Sequence, residues 1–430
     1  MGTADPVNAA LRPVLEQPAT HFYVALSGGI DSVVLLHSLC ALRASFPQHQ
    51  YSAIHVHHGL SANADSWQRF VEQLCGELDI RLLVERVNLL KQTRTSLEAV
   101  AREARYGVFV KHAQGACVLL AQHLDDQLET ILLQLKRGAG PAGLAAMPVR
   151  REDNGVTYLR PYLALSRAQI EHYAYAHDLR WVEDESNQDV RFDRNFLRHE
   201  IIPRLAERWP HLADNAARSA QLCAQQQALL DEVLQEKLVG LQSQDKTLSI
   251  NGLHAQPERW QSALLRSWLA QFGLNPSAAW LQNLQNQLVS RRDGMPEIKL
   301  DGSVIRRFNQ RLFCLLSSDL WQINQTIKWQ GEHAVSWDAV PVLLTNIHCN
   351  QQPLEIGNAP LSLRFTPVGE LQSKPLNQWF KQWQIAPWLR QQTVVVRAGE
   401  SVIALAIAGE KWRLSQQALD WQFKADISRQ

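Results

Sequence analysis

Phe22-Tyr23-Val24-Ala25-Leu26-Ser27-Gly28-Gly29-Ile30-Asp31-Ser32-Val33-Val34-Leu35-Leu36 decides the fold of this chain. Residues 22–26 read as a strand buried on both faces, residues 27–29 as a tight turn of small residues, and the run from Ser32 as the start of a helix. A strand, a glycine turn and a helix N-terminus together make an anion site, because free backbone N–H groups converge where the helix dipole is positive. The phosphate end of a nucleotide is the ligand this geometry suits. The loop has no lysine, so it is not the phosphate loop that ends in Gly-Lys-Ser/Thr. From these residues alone, a capped helix after a tight turn accounts for the loop equally well.

Working outward, the first 215 residues alternate strand-like runs with helical stretches. Strands are expected at 22–26, 53–57, 81–84 and 117–121, and helices at 32–44, 64–78, 96–112 and 125–136. This alternation predicts an α/β fold with a parallel sheet covered on both faces. Ligands of such sheets sit at the carboxyl ends of the strands, where Ser27, His57, His58 and His123 fall. Strand alternation sets His55 and His57 on one face and His58 on the other.

Beyond the strand Val118-Leu119-Leu120-Ala121, the run His123-Leu124-Asp125-Asp126-Gln127-Leu128-Glu129-Thr130 opens a helix. Asp125 and Glu129 share a face, with Asp126 nearby, while Leu128, Ile131, Leu132 and Leu135 form the buried stripe. Acids favour any first helical turn through the dipole. A histidine with three acids beside a phosphate loop points instead to a site. Arg102 and Arg105 share one helical turn, and Arg191, Arg194 and Arg198 recur at i, i+3 and i+7; each set can present a cationic face or simply a solvated one.

Five blocks in order now carry a resemblance. They are Ser27 to Ser32, His55-Val56-His57-His58-Gly59-Leu60, Glu98 to Tyr106, the His123 block extended through Arg137-Gly138 to Leu144, and Glu183-Asp184-Glu185-Ser186-Asn187 leading to Arg191-Phe192-Asp193-Arg194-Asn195-Phe196-Leu197-Arg198. The chain resembles the tRNA(Ile)-lysidine synthetase family of the N-type ATP pyrophosphatases, and weaker similarity extends over its later regions. The resemblance implies an adenine nucleotide alpha hydrolase-like catalytic domain. It also implies a ligase using ATP and Mg2+ to join free lysine to C2 of cytidine 34 in the CAU anticodon of a minor isoleucine tRNA, through an adenylated intermediate.

By that resemblance Ser27, Gly28, Gly29, Ile30, Asp31 and Ser32 bind ATP. Asp31, Asp125, Asp126 and Glu129 are the candidates among which Mg2+ binding, lysine binding and proton transfer are divided, the division being left open and Asp31 being the candidate for Mg2+. His123 contacts phosphate or acts as a base, and Arg105, Arg194 and Asn195 join the site. Two other readings share the loop: a tRNA thiolase of the same superfamily, which commonly uses paired cysteines, and a non-catalytic RNA-binding protein. The six cysteines, at 40, 75, 117, 223, 314 and 349, include no close pair.

The expected organisation is a catalytic domain over 1–215, a connecting helix over 216–239, and two smaller α+β domains over 240–318 and 359–430, with a polar span before the last. Both smaller domains are expected to position tRNA. At 430 residues the chain is too long for one core. Its formal charge of +1 divides into −3 for residues 1–215 and +4 for the rest, so RNA contact must come from local patches. Arg291, Arg292, Arg306, Arg307 and Arg311, interleaved with Phe308 and Phe313, form the RNA candidate. Most tryptophans of the later regions read as core, including Trp268 and Trp379. Lys374, Trp379, Phe380, Pro387, Trp388, Leu389 and Arg390 match a family segment, but Asn377 and Gln378 stand where further basic residues are common. With no apolar stretch of membrane-spanning length and no signal-peptide core, a cytoplasmic protein is expected. Oligomeric state stays open, with a homodimer as the candidate.

Overall fold

The structure, a computed structural model, describes residues 5–18, 21–59, 61, 63–87, 97–290, 297–332, 334–338, 340–350, 353–358, 360–407 and 411–429. Leu60, Arg291 and Arg292 of the sequence reading lie outside the described residues. The chain divides into two compact units, Met1–Leu230 and Asp231–Gln430, and the helix Leu212–Val239 runs across the division.

The first unit has the expected α/β architecture. In chain order its elements are α1 (Pro6–Leu15), β1 (His21–Ala25), α2 (Ile30–Leu42), β2 (Gln50–His57), α3 (Ala64–Glu77), β3 (Arg81–Arg86), α4 (Leu97–His112), β4 (Cys117–Leu119), α5 (Leu124–Lys136), α6 (Pro141–Leu144), β5 (Arg150–Asp153), β6 (Val156–Leu159) and α7 (Arg167–Ala176). The sheet order is β3-β2-β1-β4-β6-β5, parallel except for the edge strand β5. The chain steps one way from β1 to β2 and β3, then returns to place β4 on the other side of β1. That reversal opens the crevice between β1 and β4 in which nucleotide-binding sheets hold their ligands.

Burial explains why α2 forms where it does. Ile30, Val33, Val34, Leu35, Leu36, Leu39 and Leu42 are all buried, whereas its N-cap Gly29 makes no side-chain capping bond. Each buried aliphatic side chain contributes roughly 1.5–3 kcal/mol, against about 1 kcal/mol for a missing cap. Packing therefore fixes the helix and leaves its N-terminus open. α1 packs against α2 through Val7, Leu11, Val14 and Leu15, capped by Asp5, whose Oδ1 accepts from Val7 N–H at 2.8 Å. The β5–β6 hairpin turns on Asn154 (φ +48°) and Gly155 (φ +76°), the positive-φ pair that matches strand twist.

In the second unit, Leu248–Ser249, Arg311–Leu316, Ser303–Phe308 and Glu297–Leu300 form an antiparallel sheet. Helices Glu258–Ala270 and Ala278–Ser290 cover it around Leu264, Leu265, Trp268 and Leu284. A five-stranded antiparallel sheet follows in the order Ile327–Trp329, Leu354–Gly357, Thr393–Ala398, Ser401–Ile407, Trp412–Leu414. The polar span before residue 359 contributes the strands Ile327–Trp329 and Leu354–Gly357 to this sheet. Trp321, Ile323, Trp329 and Val335 bury against Val394 and Ile403, so a few large apolar residues anchor a stretch that is otherwise hydrophilic. Trp268 and Trp379 are fully buried, as expected of core residues. Among the described residues no helix is long and apolar enough to cross a membrane.

Candidate active site

The glycine loop is closed by its own serines. Ser32 Oγ accepts from the backbone N–H groups of Ser27 and Gly28, each at 3.2 Å, and donates to Gly29 O at 2.9 Å. Gly28 takes φ +94°, and a Cβ there would stand 2.9 Å from Val182 Cγ2. The loop approaches Val182 because Val182 N–H donates to Gly28 O at 3.0 Å. One glycine is thus required by conformation and by space, while the following one starts α2 in an extended conformation.

Across the crevice, β4 delivers His123 and the first turn of α5. Asp126 Oδ2 accepts the His123 backbone N–H at 3.1 Å, closing a capping box. The buried imidazole lies among three carboxylates: Nδ1 is 3.5 Å from Asp125 Oδ2, and Nε2 is 3.5 Å from Asp126 Oδ2 and 3.7 Å from Asp31 Oδ1. Burial pulls its pKa down, but hydrogen bonding and charge from Asp125, Asp126 and Asp31 outweigh that and raise it above the usual histidine value. Burial raises the Asp31 pKa despite the cations around it, whereas Asp125 is lowered because its bonds to His123 and the Arg167 N–H overcome its own desolvation. Loop and acid block are therefore one electrostatic cluster.

Three arginines complete it. Arg167, at the first position of α7, sets Nη1 2.8 and 2.7 Å from the two oxygens of Asp31 and donates its backbone N–H to Asp125 Oδ2 at 2.8 Å. Arg194 Nε donates to Glu129 Oε2 at 2.6 Å, Arg198 Nε to Glu129 Oε1 at 2.7 Å, and both guanidinium groups reach Asp126 Oδ1, at 3.4 and 3.1 Å. Glu129 is 1% exposed, so this double clamp compensates a buried charge.

Sequence reasoning did not single out Arg167, since a lone arginine at a helix start carries no motif. Sheet topology brings it across from the other side of the crevice. Arg198 was visible only as a member of a spaced series.

Other expected site residues have different partners. Asn195 is buried, and its Nδ2 donates to Ser186 O at 2.9 Å and Asp189 O at 3.0 Å, so it pins the preceding loop and its donors are consumed. Arg105 stands close enough to His58 to help depress that histidine's pKa. His55 Nδ1 pairs with Leu26 O at 2.8 Å, and His57 Nε2 lies 3.2 Å from Asp65. Arg307 is buried, bonded to Leu288 O and Gln310 Oε1, and Arg311 donates to Thr247. Arg306 pairs with Glu297 at 2.7 Å and lies over the Trp388 ring at 5.6 Å. Their clustering around expected strands made them the RNA candidate, but the strand register turns Arg307 into the protein and Arg306 onto Trp388.

The PP-loop domain family matches residues 4–205, the TilS substrate binding domain residues 248–313, and the TilS substrate C-terminal domain residues 354–422. The tRNA(Ile)-lysidine synthase of Serratia proteamaculans is 42% identical over 89% of this chain and 90% of its own length. The chain belongs to the tRNA(Ile)-lysidine synthase family. A synthase of that family from Escherichia coli O157:H7 is 41% identical over 89% of this chain and 91% of its own length, and one from Yersinia pestis 41% identical over 93% and 92%. As a synthase-family member the chain is an ATP-dependent ligase with a PP-loop nucleotide site. All six cysteines are free thiols, and no two of them are close in the sequence, unlike the paired cysteines common in thiolases.

Proposed function

We propose that this chain ligates lysine to C2 of cytidine 34 in the CAU anticodon of a minor isoleucine tRNA, releasing AMP and pyrophosphate. The observation that carries the reading is the convergence of Asp31, His123, Asp125 and Asp126 on the β1–β4 crevice of a chain matched along nearly its whole length by this family. A cytosine C2 oxygen cannot leave by itself, so AMP must first be transferred to it, with the bond to pyrophosphate breaking. The amine of lysine then forms the new C–N bond at C2 and AMP departs. That amine has a reference pKa of about 10.4 and must lose a proton in the process.

Ser27 to Ser32 hold the phosphates at the N-terminus of α2, with the adenylyl group towards the crevice. The carboxylates around His123 raise its pKa and favour its protonated form, so it is assigned to phosphate contact in preference to service as a base. Asp125, with its carboxylate 37% exposed, and Asp126 are assigned to the lysine ammonium. Glu129 acts through Arg194 and Arg198 and is a positioning residue. Asp31, its side chain 28% exposed at the phosphate loop and its oxygens held by Arg167, is the carboxylate that would take Mg2+, an ion that binds through one or two carboxylates plus phosphate oxygens, if Arg167 yields an oxygen to it. Bound there, the ion would neutralise charge on the leaving pyrophosphate. The second unit positions the tRNA.

Incubation with ATP, labelled lysine and isoleucine tRNA bearing CAU should place label in RNA, with one AMP and one pyrophosphate per lysine. Stoichiometric ADP, or no label in a tRNA that binds, would overturn the reading.

A further inference from the structure

The segment carrying Arg194 and Arg198 has a second face. Val190, Phe192 and Phe196 are 46%, 44% and 44% exposed, three large apolar side chains within seven residues. Single exposed apolar residues need no explanation, but a cluster beside a reactive centre does. At about 100° per residue, Phe196 projects nearly opposite to both Arg194 and Arg198. The arginines turn inward to Glu129 and Asp126 while the rings turn to solvent. A π-turn over Leu197–Ile201 follows directly, a feature that recurs at functional sites.

The segment is held firmly from both sides. Asn195 ties it to the 186–189 loop, and Lys136 Nζ bonds Asp193 Oδ2 at 2.6 Å, joining it to the end of α5. The backbone that carries the rings is therefore anchored. Paired charges and one further cation lie around the rings: the Arg191 side chain is 88% exposed and bonds Asp189 at 2.6 Å, that of Lys136 is 61% exposed and bonds Asp193, and Arg137 is exposed beside Lys136 in the chain. Aromatic faces with exposed cations around them fit unpaired nucleotides, whose bases stack on the rings while their phosphates meet the charges.

We propose that Phe192 and Phe196 form a stacking platform for the unpaired bases that flank the target cytidine in the RNA loop. The inference rests on the reading of the substrate as a tRNA anticodon loop. It explains how one short segment serves two ends of the reaction, with Arg194 and Arg198 ordering the acid block and the rings behind them holding the loop open.

The test uses the full chain with Phe192→Leu, Phe196→Leu and the double variant, each compared with Phe→Tyr at the same position. Leucine keeps apolar bulk and loses the π-face. The double leucine variant should raise the tRNA KM roughly 10-fold or more, since stacking is worth several-fold to over a hundredfold per base. ATP KM and thermal midpoint should stay at the parent's values, and tyrosine should restore binding. The slope of log affinity against log salt should not change, because the substitutions remove no charge. In parallel, the parent chain is irradiated with tRNA carrying 4-thiouridine at the loop uridines nearest the target cytidine, and the crosslinked peptide should contain residues 190–198. Unchanged tRNA KM in the double variant, failure of tyrosine to restore it, a matching rise in ATP KM, or crosslinks confined to other peptides would each overturn the platform. So would a concentration-dependent dimer that disappears in the leucine variants, which would assign the face to a second copy. A parent that transfers labelled lysine while these outcomes appear leaves the functional reading standing; a parent that transfers none refutes that reading separately.

Discussion

Two residues show how tightly the crevice constrains its side chains. Gly28 combines a left-handed backbone with a neighbour 2.9 Å from where a Cβ would sit, and that neighbour is held by the Val182 N–H bond to Gly28 itself. Gly28→Ala should therefore lose roughly 1–3 kcal/mol of stability and most ATP affinity, read by thermal denaturation and titration with a non-hydrolysable ATP analogue. Parent-like affinity would show that the nucleotide lies elsewhere. His58 supplies a pH effect of clear sign. Burial, followed by the nearby charges of Arg105, His55 and His57, lowers its pKa from 6.5 to about 4. A base whose folded pKa is depressed binds fewer protons folded than unfolded, so stability rises with pH across that window. Stability should fall as the pH drops below about 6.5 and level off, for this group, below about 4. His58→Gln should flatten that limb in urea denaturation measured at stepped pH; an identical profile would remove His58 as its source.

At the scale of the element, the helical segment from Asp193 determines whether the acid block is ordered. Glu129→Gln removes the charge that Arg194 and Arg198 share, leaving two guanidinium groups against a neutral amide. Breaking a buried pair costs about 3–5 kcal/mol. Here the arginine side chains are 29% and 37% exposed and can rehydrate, so the cost should sit at the low end. Turnover should fall at least tenfold and ATP KM rise while tRNA affinity holds, as steady-state kinetics with each substrate varied would show. If tRNA affinity alone collapsed, the arginines would be serving RNA and not the nucleotide. Elements also differ in how plainly the sequence announces them. The β1–loop–α2 unit is legible because a continuous apolar strand, two glycines and an apolar helix leave little alternative. The β5–β6 hairpin is not, although Asn154-Gly155 is a strong turn signal, because the charged edge strand Arg150–Asp153 has no apolar alternation. α1 is hidden by Pro13 within it. Acid-block membership follows from spacing on one helix, whereas Arg167 reaches Asp31 only through the arrangement of the sheet. The resemblance gave Asn195, and clustering of arginines around expected strands gave Arg307, as candidates without saying which way each side chain turns.

Across the whole chain, the chemistry of the first unit is matched by a second unit whose parts pack as one body. Trp388 meets Phe313 and Phe308 edge-on, with ring centroids 5.1 and 6.0 Å apart, and Arg306 covers its face. Asn309 bonds Gln384 at 3.3 Å, and the buried Gln392 donates through Nε2 to Asp319 O. These interactions join the sheet ending at Leu316 to the sheets that follow it. Their cations are consequently committed to structure: Arg306 to Trp388 and Glu297, Arg307 to the end of the helix Ala278–Ser290. Removing a cation that touches phosphate lowers the magnitude of the log-affinity against log-salt slope by somewhat under one unit, whereas removing a packing residue leaves the slope alone and lowers stability. Arg306→Ala should behave as the second kind. Its tRNA affinity measured between low and moderate salt should run parallel to the parent's, while its thermal midpoint drops because a cation–π interaction and a partly buried ion pair are gone. Lys381→Ala, an exposed position on the helix Leu376–Gln382, provides the contrast, since a solvated lysine can meet phosphate at no structural cost. A slope reduced by Arg306→Ala with an unchanged midpoint would return that arginine to the RNA surface and require Trp388 to be uncovered when tRNA binds.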